Sequence, residues 1–155
     1  MNIHIERACV SDSEEILLLQ KLVYRSEAEL YGDFSIEPLV QTIEQLQKQF
    51  EDHIILKAVD NDVIIGSVRA IEQDGTCLIG KLMVSPSHQN KGIGKMLMHA
   101  IEDFFPNCRY ELFTGSKSGK NMALYEKLGY KASKVRAVTP DFTLVYLEKI
   151  HDQPL

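Results

Sequence analysis

The chain of 155 residues contains no tryptophan, only three cysteines and only five prolines. Cys9, Cys77 and Cys108 are widely spaced and form no C-x-x-C pair, which argues against a disulfide framework and against a zinc knuckle, and predicts buried or half-buried free thiols. None of the five histidines stands in an H-x-x-x-H pair, so no metal centre is expected. No uncharged run approaches the roughly 20 apolar residues that span a bilayer, and Met1 to Glu6 has no signal-peptide organisation. The expectation is a soluble protein of the cytoplasm with no membrane partner. Internal repeats and low-complexity tracts are also missing. With 17 basic against 22 acidic residues the net charge is −5, which argues against a nucleic-acid partner, because such binding neutralises many phosphates with Lys and Arg.

What is present suits one compact domain over residues 1–155: 45% of the residues are hydrophobic and 25% charged. A chain of this length buries about 68 to 70% of its unfolded surface, enough for a core. Ile3 to Val10 reads as a strand, and Ser11 with Glu14 as a capping box for a helix through Ile16, Leu19 and Val23. Tyr31 to Phe34 reads as a loop. Pro38 suits the first position of a second helix, with Leu39, Ile43, Leu46 and Phe50 on one stripe. From His53 the period shortens. The β-branched runs Ile54 to Val59 and Val63 to Ile71 flank Asp60-Asn61-Asp62 as a hairpin, and after the Asp74-Gly75 turn Thr76 to Val84 is a third strand. A helix then buries Met96, Leu97, Ala100, Ile101 and Phe104 and stops at Pro106-Asn107. Tyr110 to Thr114 is a strand, Asn121 to Leu128 a short helix closed by Gly129, and Val135 to Val138 and Phe142 to Glu148 are two late strands. The order β-α-α-β-β-β-α-β-α-β-β predicts an α+β (α/β) fold, a mixed and mostly antiparallel sheet flanked by helices. It lacks the regular alternation of a dinucleotide-binding domain.

Gln89-Asn90-Lys91-Gly92-Ile93-Gly94 joins the strand ending at Val84 to the helix after it. A helix start leaves backbone N–H groups without partners and carries about half a positive charge, so it is a socket for phosphate. Gly92 and Gly94 lack Cβ atoms, and Lys91 and Lys95 add charge; the ordinary alternative is a tight strand-to-helix turn. Two other glycine-lysine stretches are poorer phosphate loops. Gly75 to Lys81 is followed by Leu82 where a Ser or Thr would hold magnesium, and Gly115 to Lys120 is one residue too short and is followed by Asn121. The second reads better as a flexible loop in which Ser116 or Lys117 is near enough to touch a ligand.

The stretch Leu82 to Leu97, with its Gln-x-x-Gly-x-Gly loop, resembles the acyl-CoA signature of the GCN5-related N-acetyltransferases, the GNAT superfamily. Asn121-Met122-Ala123-Leu124-Tyr125-Glu126-Lys127-Leu128-Gly129-Tyr130 is similar to its second CoA-side motif, and the element order matches over nearly the whole chain. The resemblance implies acetyl-CoA as acyl donor, with Gln89, Asn90, Lys91, Gly92, Ile93, Gly94 and Lys95 around the pyrophosphate and the backbone of Met83 and Val84 along the pantetheine arm. It also implies that the strand of Val84 diverges from that of Leu112, that the Val84 N–H faces the thioester oxygen, and that Tyr125 protonates the departing thiolate. Asn121 bonds the arm or nearby backbone, with helix capping as its ordinary role.

The acceptor side is less regular. The glutamate that such enzymes often place on the strand of Thr76 to Val84 is absent; Ile79 and Gly80 stand there. Glu72 is the leading substitute base, ahead of Glu111 and His88, and water alone is an alternative. Tyr24, Tyr31 and Phe34 are candidates to line the acceptor pocket, and Glu27 and Glu29 to attract a cationic amine. The function implied is direct N-acetyl transfer to a primary amine of a small molecule or peptide in a ternary complex. The alternatives are a non-catalytic CoA-binding module and an acyltransferase with another donor or acceptor. Exposed strands at the C-terminal edge suit a homodimer.

Overall fold

A computed structural model describes residues 2–150. Its elements are β1 (Ile3–Arg7), α1 (Ser13–Tyr31), α2 (Glu37–Val40), α3 (Ile43–Gln49), β2 (Ile54–Asp60), β3 (Val63–Gln73), β4 (Thr76–Val84), α4 (Ile93–Asp103), β5 (Arg109–Gly115), α5 (Gly119–Lys127), β6 (Lys131–Thr139) and β7 (Phe142–Lys149). Seven strands form one sheet in the order β1-β2-β3-β4-β5-β7-β6. Neighbours are antiparallel except β4 and β5, so the sheet is mixed and mostly antiparallel, as expected. No helix among the described residues is long and apolar enough to cross a membrane.

Several boundaries differ from the sequence expectation, among them β6, which starts at Lys131 rather than Val135. The first strand ends at Arg7, and the chain turns through a short 3-10 segment, Val10–Asp12, whose Cys9 N–H donates to Asp12 Oδ2 at 2.9 Å. Ser11 therefore does not cap α1; Ser13 opens it, with its hydroxyl on the Val10 carbonyl at 2.6 Å. The stripe from Leu39 to Phe50 is two helices rather than one. Gln41 is extended at ψ 132°, and Thr42 starts α3 through a capping box with Gln45. Last, α5 begins at Gly119, taking in two residues expected in the preceding loop.

Each face of the sheet has its own core. Ile93, Leu97, Met98 and Ile101 of α4 pack on Leu56, Ala58, Val68 and Ala70, together with Tyr125 and Tyr130. On the other face Ile16, Leu17 and Leu19 of α1 and Leu46 of α3 pack on Ile55, Ile64 and Met83. Burial of each such side chain stabilises the fold by about 1.5 to 3 kcal/mol. Polar contacts set the seat of α2 and α3. Arg69 on β3, 2% exposed, donates to Gln20 of α1, to Gln41 and to Gln49 of α3, and Gln20 Nε2 donates to the Pro38 carbonyl at 2.8 Å. Burial without a carboxylate in contact lowers the guanidinium pKa to about 10.

The C-terminus of α1 is clasped to the far half of the sheet by Tyr31. Its hydroxyl accepts the Lys117 N–H at 2.9 Å, and its ring meets Phe142 edge-on at 4.7 Å. This needs glycine at 115, where a Cβ would lie 2.0 Å from the Tyr31 hydroxyl oxygen and 2.6 Å from Cζ. Gly115→Ala should expel Tyr31 and cost about 1 to 3 kcal/mol, the range of overpacking. Urea unfolding measures it, and an unchanged midpoint would refute the clasp.

Candidate active site

β4 and β5 pair only where Thr76–Leu78 meets Arg109–Glu111, although β4 runs on to Val84 and β5 to Gly115. Beyond that they separate, and the slot between them is the expected divergence. An irregularity on β4 contributes. Ser67 faces Met83 and Arg69 faces Gly80, so β4 carries one residue more than β3 over this stretch, and Lys81 sits in it at φ +54°. Glu37 holds Lys81 from α2 at 2.6 Å.

Backbone pairing decides which amides face the slot. The Ser85 N–H donates to the Ile65 carbonyl at 2.7 Å, and the register continues through Val84 with Gly66 and Met83 with Ser67. Polar groups alternate sides along a strand, so those of Met83 point toward β3 and those of Val84 toward the slot. The expectation of two consecutive backbone contacts from Met83 and Val84 is corrected by this alternation. Val84 presents its N–H and Met83 does not.

The slot opens into a cavity of about 800 Å³ lined by α1, the end of β4, the start of α4 and the start of α5. At one end Gly92 caps α4 at φ +80° with no side chain to occupy the helix start, and the first intrahelical bond there is Met96 N–H to the Gly92 carbonyl. The amides of Ile93, Gly94 and Lys95 are thus left for an anion, with Lys95, Lys120 and Lys127 on the same walls. The Gln89 side chain straps the mouth, donating to the Val84 carbonyl at 3.2 Å and accepting from Lys120 Nζ at 3.1 Å.

The cavity wall also carries Tyr24 and Glu27 of α1 and Ser118 before α5. The Ser118 hydroxyl donates to the Glu27 carboxylate, at 2.8 and 2.7 Å from its two oxygens. Tyr125 lies under this wall, 6% exposed, its ring 6.1 Å from that of Tyr130. Burial, then the charges of Tyr24 and Glu27, hold its phenol well above the ordinary value. Its hydroxyl has no hydrogen-bond partner among the described residues, and Tyr125 itself is not on the cavity surface, whereas Asn121 and Leu124 of the same helix are.

Met83, Val84, Gln89, Asn90, Gly92, Ile93, Gly94, Lys95 and Asn121 line the cavity; Lys91 is exposed away from it. Asn121 does not cap α5, whose N-cap is Ser118; its amide reaches Thr114 Oγ1 at 3.5 Å. Glu72 is a correction. It faces Cys77 at the far end of the β3–β4 pair and accepts the Cys108 thiol at 2.8 Å. Val84 pairs with Gly66, six residues back along β3, which is about 20 Å at strand rise. In an antiparallel pair the end of one strand lies beside the start of the next, so Glu72 is remote from the slot. Glu111 is engaged by Arg109 at 3.2 Å and does not line it either. His88 does, with Nε2 3.0 Å from Asp60 Oδ2. Phe34 is 58% exposed and no part of the wall. Ser118 was missed, hidden in a stretch read as a loop.

The model of the acetyltransferase (GNAT) family matches residues 19–130, which include the slot, the α4 start and α5. The chain belongs to this family. Solved GNAT structures share the architecture from end to end. PaiA N-acetyltransferase from Thermoplasma acidophilum, in complex with coenzyme A, superposes with TM-score 0.79 at 17% identity, covering 94% of this chain and 98% of that one. The ribosomal-protein-S18-alanine N-acetyltransferase from Escherichia coli gives 0.80 at 13% identity, covering 99% and 96%. Aminoglycoside 6'-acetyltransferase type Ii gives 0.77 at 24% identity, covering 98% and 99%. At these identities the likeness is one of fold.

Proposed function

We propose that the chain is an acetyl-CoA-dependent N-acetyltransferase that moves the acetyl group directly to a primary amine in a ternary complex. One observation carries the reading. The Val84 N–H faces a slot that has the free amides of α4 at one end, and the α5 turn carrying Asn121 and Leu124, with Tyr125 buried behind it, forms part of its wall. The PaiA and ribosomal-protein enzymes, of the same fold, are N-acetyltransferases, and the former is seen with coenzyme A, which supports nitrogen as the acceptor and a CoA thioester as the donor.

The residues fit such a donor. The amides of Ile93, Gly94 and Lys95 with Lys95, Lys120 and Lys127 suit a pyrophosphate, and hydrogen bonds to charged groups contribute about 1.5 to 3 kcal/mol each. Bound acetyl-CoA supplies an activated thioester. Val84 then donates to the carbonyl oxygen as charge builds on it. The amine nitrogen bonds to the carbonyl carbon, the carbon–sulfur bond breaks, Tyr125 gives its proton to sulfur, and the nitrogen sheds one proton as it becomes an amide, which replaces the one Tyr125 gave up. A phenol raised above its usual pKa near 10 remains protonated at neutral pH and so has that proton to give.

Thermal-shift titration with CoA thioesters, followed by amine-dependent thiol release over a panel of amines, tests the reading. Stabilisation together with amine-dependent release is expected. Stabilisation by acetyl-CoA with no release from any amine would establish a binding module instead, and release only with another thioester would reassign the donor.

A further inference from the structure

The charge on the cavity wall is mostly basic. Lys95, Lys117, Lys120 and Lys127 line it, and Glu27 is the only carboxylate among its described lining residues. No ion pair engages Glu27 among those residues. Its one hydrogen-bond donor among the described residues is Ser118, and that bond has a cost elsewhere. Ser118 is the N-cap of α5, 6% exposed, yet makes no side-chain cap bond. A serine cap stabilises a helix by about 1 kcal/mol, and here the hydroxyl is committed to orienting Glu27 instead.

The groups around Glu27 come from several elements. Tyr24 precedes it on α1 and Lys117 lies in the β5–α5 turn, both on the cavity wall. Tyr125 is beneath, and Arg69 of β3 and Glu37 of α2 act on Tyr24 from behind, with Lys81 paired to Glu37. The Glu27 charge acts on both Tyr24 and Tyr125.

We propose that Glu27, positioned by Ser118, receives the acceptor's ammonium group and takes a proton from its nitrogen, so that the acceptor class is a primary amine that is cationic in solution. This rests on the transferase reading and supplies the base that the sequence left open. The nitrogen gives up two protons in all. One is matched by the proton that Tyr125 hands to sulfur, and the other leaves through Glu27 to water.

The test is kcat/KM against pH for wild type, Glu27→Gln, Ser118→Ala and Ser118→Thr, with an alkyl primary amine and with hydroxylamine, which is already unprotonated at neutral pH. For the alkyl amine, Glu27→Gln should lose about 100-fold at neutral pH, the low end for a positioned base, and recover part of it as pH approaches the amine's own pKa near 10. Hydroxylamine should react nearly as fast with the variant, and the acetyl-CoA thermal shift should be unchanged. Ser118→Ala should lose about 10-fold with the alkyl amine alone, and Ser118→Thr should restore it. An undiminished rate in Glu27→Gln, or an equal loss with both nucleophiles at every pH, overturns the proposal while the transferase reading stands. A wild type that binds acetyl-CoA but acetylates no amine overturns both.

Discussion

Replacing Gly92 by Glu should lower acetyl-CoA affinity by 100-fold or more, about 3 kcal/mol, because two or more charged hydrogen bonds are lost together. Gly92 caps α4 at φ +80°, a conformation that L side chains rarely adopt and that costs a non-glycine residue about 1 to 2 kcal/mol. The space around it is open: a Cβ there meets no atom within 4 Å. The substitution therefore does little to the interior and acts on the socket, where a carboxylate sits at the helix start and competes for the amides of Ile93, Gly94 and Lys95. Gly92→Asn separates charge from backbone strain, since asparagine tolerates positive φ and brings no charge; it should retain most of the affinity. Isothermal titration with acetyl-CoA checks both. Unaltered binding in Gly92→Glu would remove the loop from the site, and equal losses in the two variants would assign the effect to backbone strain.

Much of this site was legible because it is built from backbone, and backbone geometry leaves marks in sequence. Gly92 marks a positive φ, and Asp60-Asn61-Asp62 marked a hairpin whose Asn61 and Asp62 are indeed left-handed at φ 49° and 66°. The capping box of Thr42 and Gln45 was equally visible, but the longer apolar stripe from Leu39 to Phe50 overrode it, although Gln41 breaks the helix there. Other features have no local signature. Lys81 adopts φ +54° in the extra residue of β4, a position where glycine or asparagine would have advertised the irregularity. The contact of Ser118 with Glu27 spans 91 residues and exists only because α1 crosses the sheet beside the start of α5. Glu72 shows the converse: a plausible residue type on a correctly predicted strand, at the wrong end of it.

Tyr125→Phe should lower kcat by about 100-fold or more, the range for a positioned general acid, while the dissociation constant of acetyl-CoA stays within about twofold. The split follows from where the hydroxyl is. The ring belongs to the core shared with Leu97, Ile101 and Tyr130, so phenylalanine keeps the packing. The hydroxyl makes no hydrogen bond among the described residues, so its removal leaves no partner stranded there and the stability change should stay under about 1 kcal/mol. What disappears is the proton. The departing thiolate must then take one from water, and only the step that breaks the carbon–sulfur bond slows. The wild-type pH profile carries a second signature. Burial and the neighbouring Tyr24 and Glu27 raise the phenol, so any loss of kcat through ionisation of Tyr125 should begin above the ordinary phenol value near 10, and that limb should vanish in Tyr125→Phe. A variant with unchanged kcat would take Tyr125 out of the acid role, and a parallel loss of acetyl-CoA affinity would make it a packing residue of the donor site.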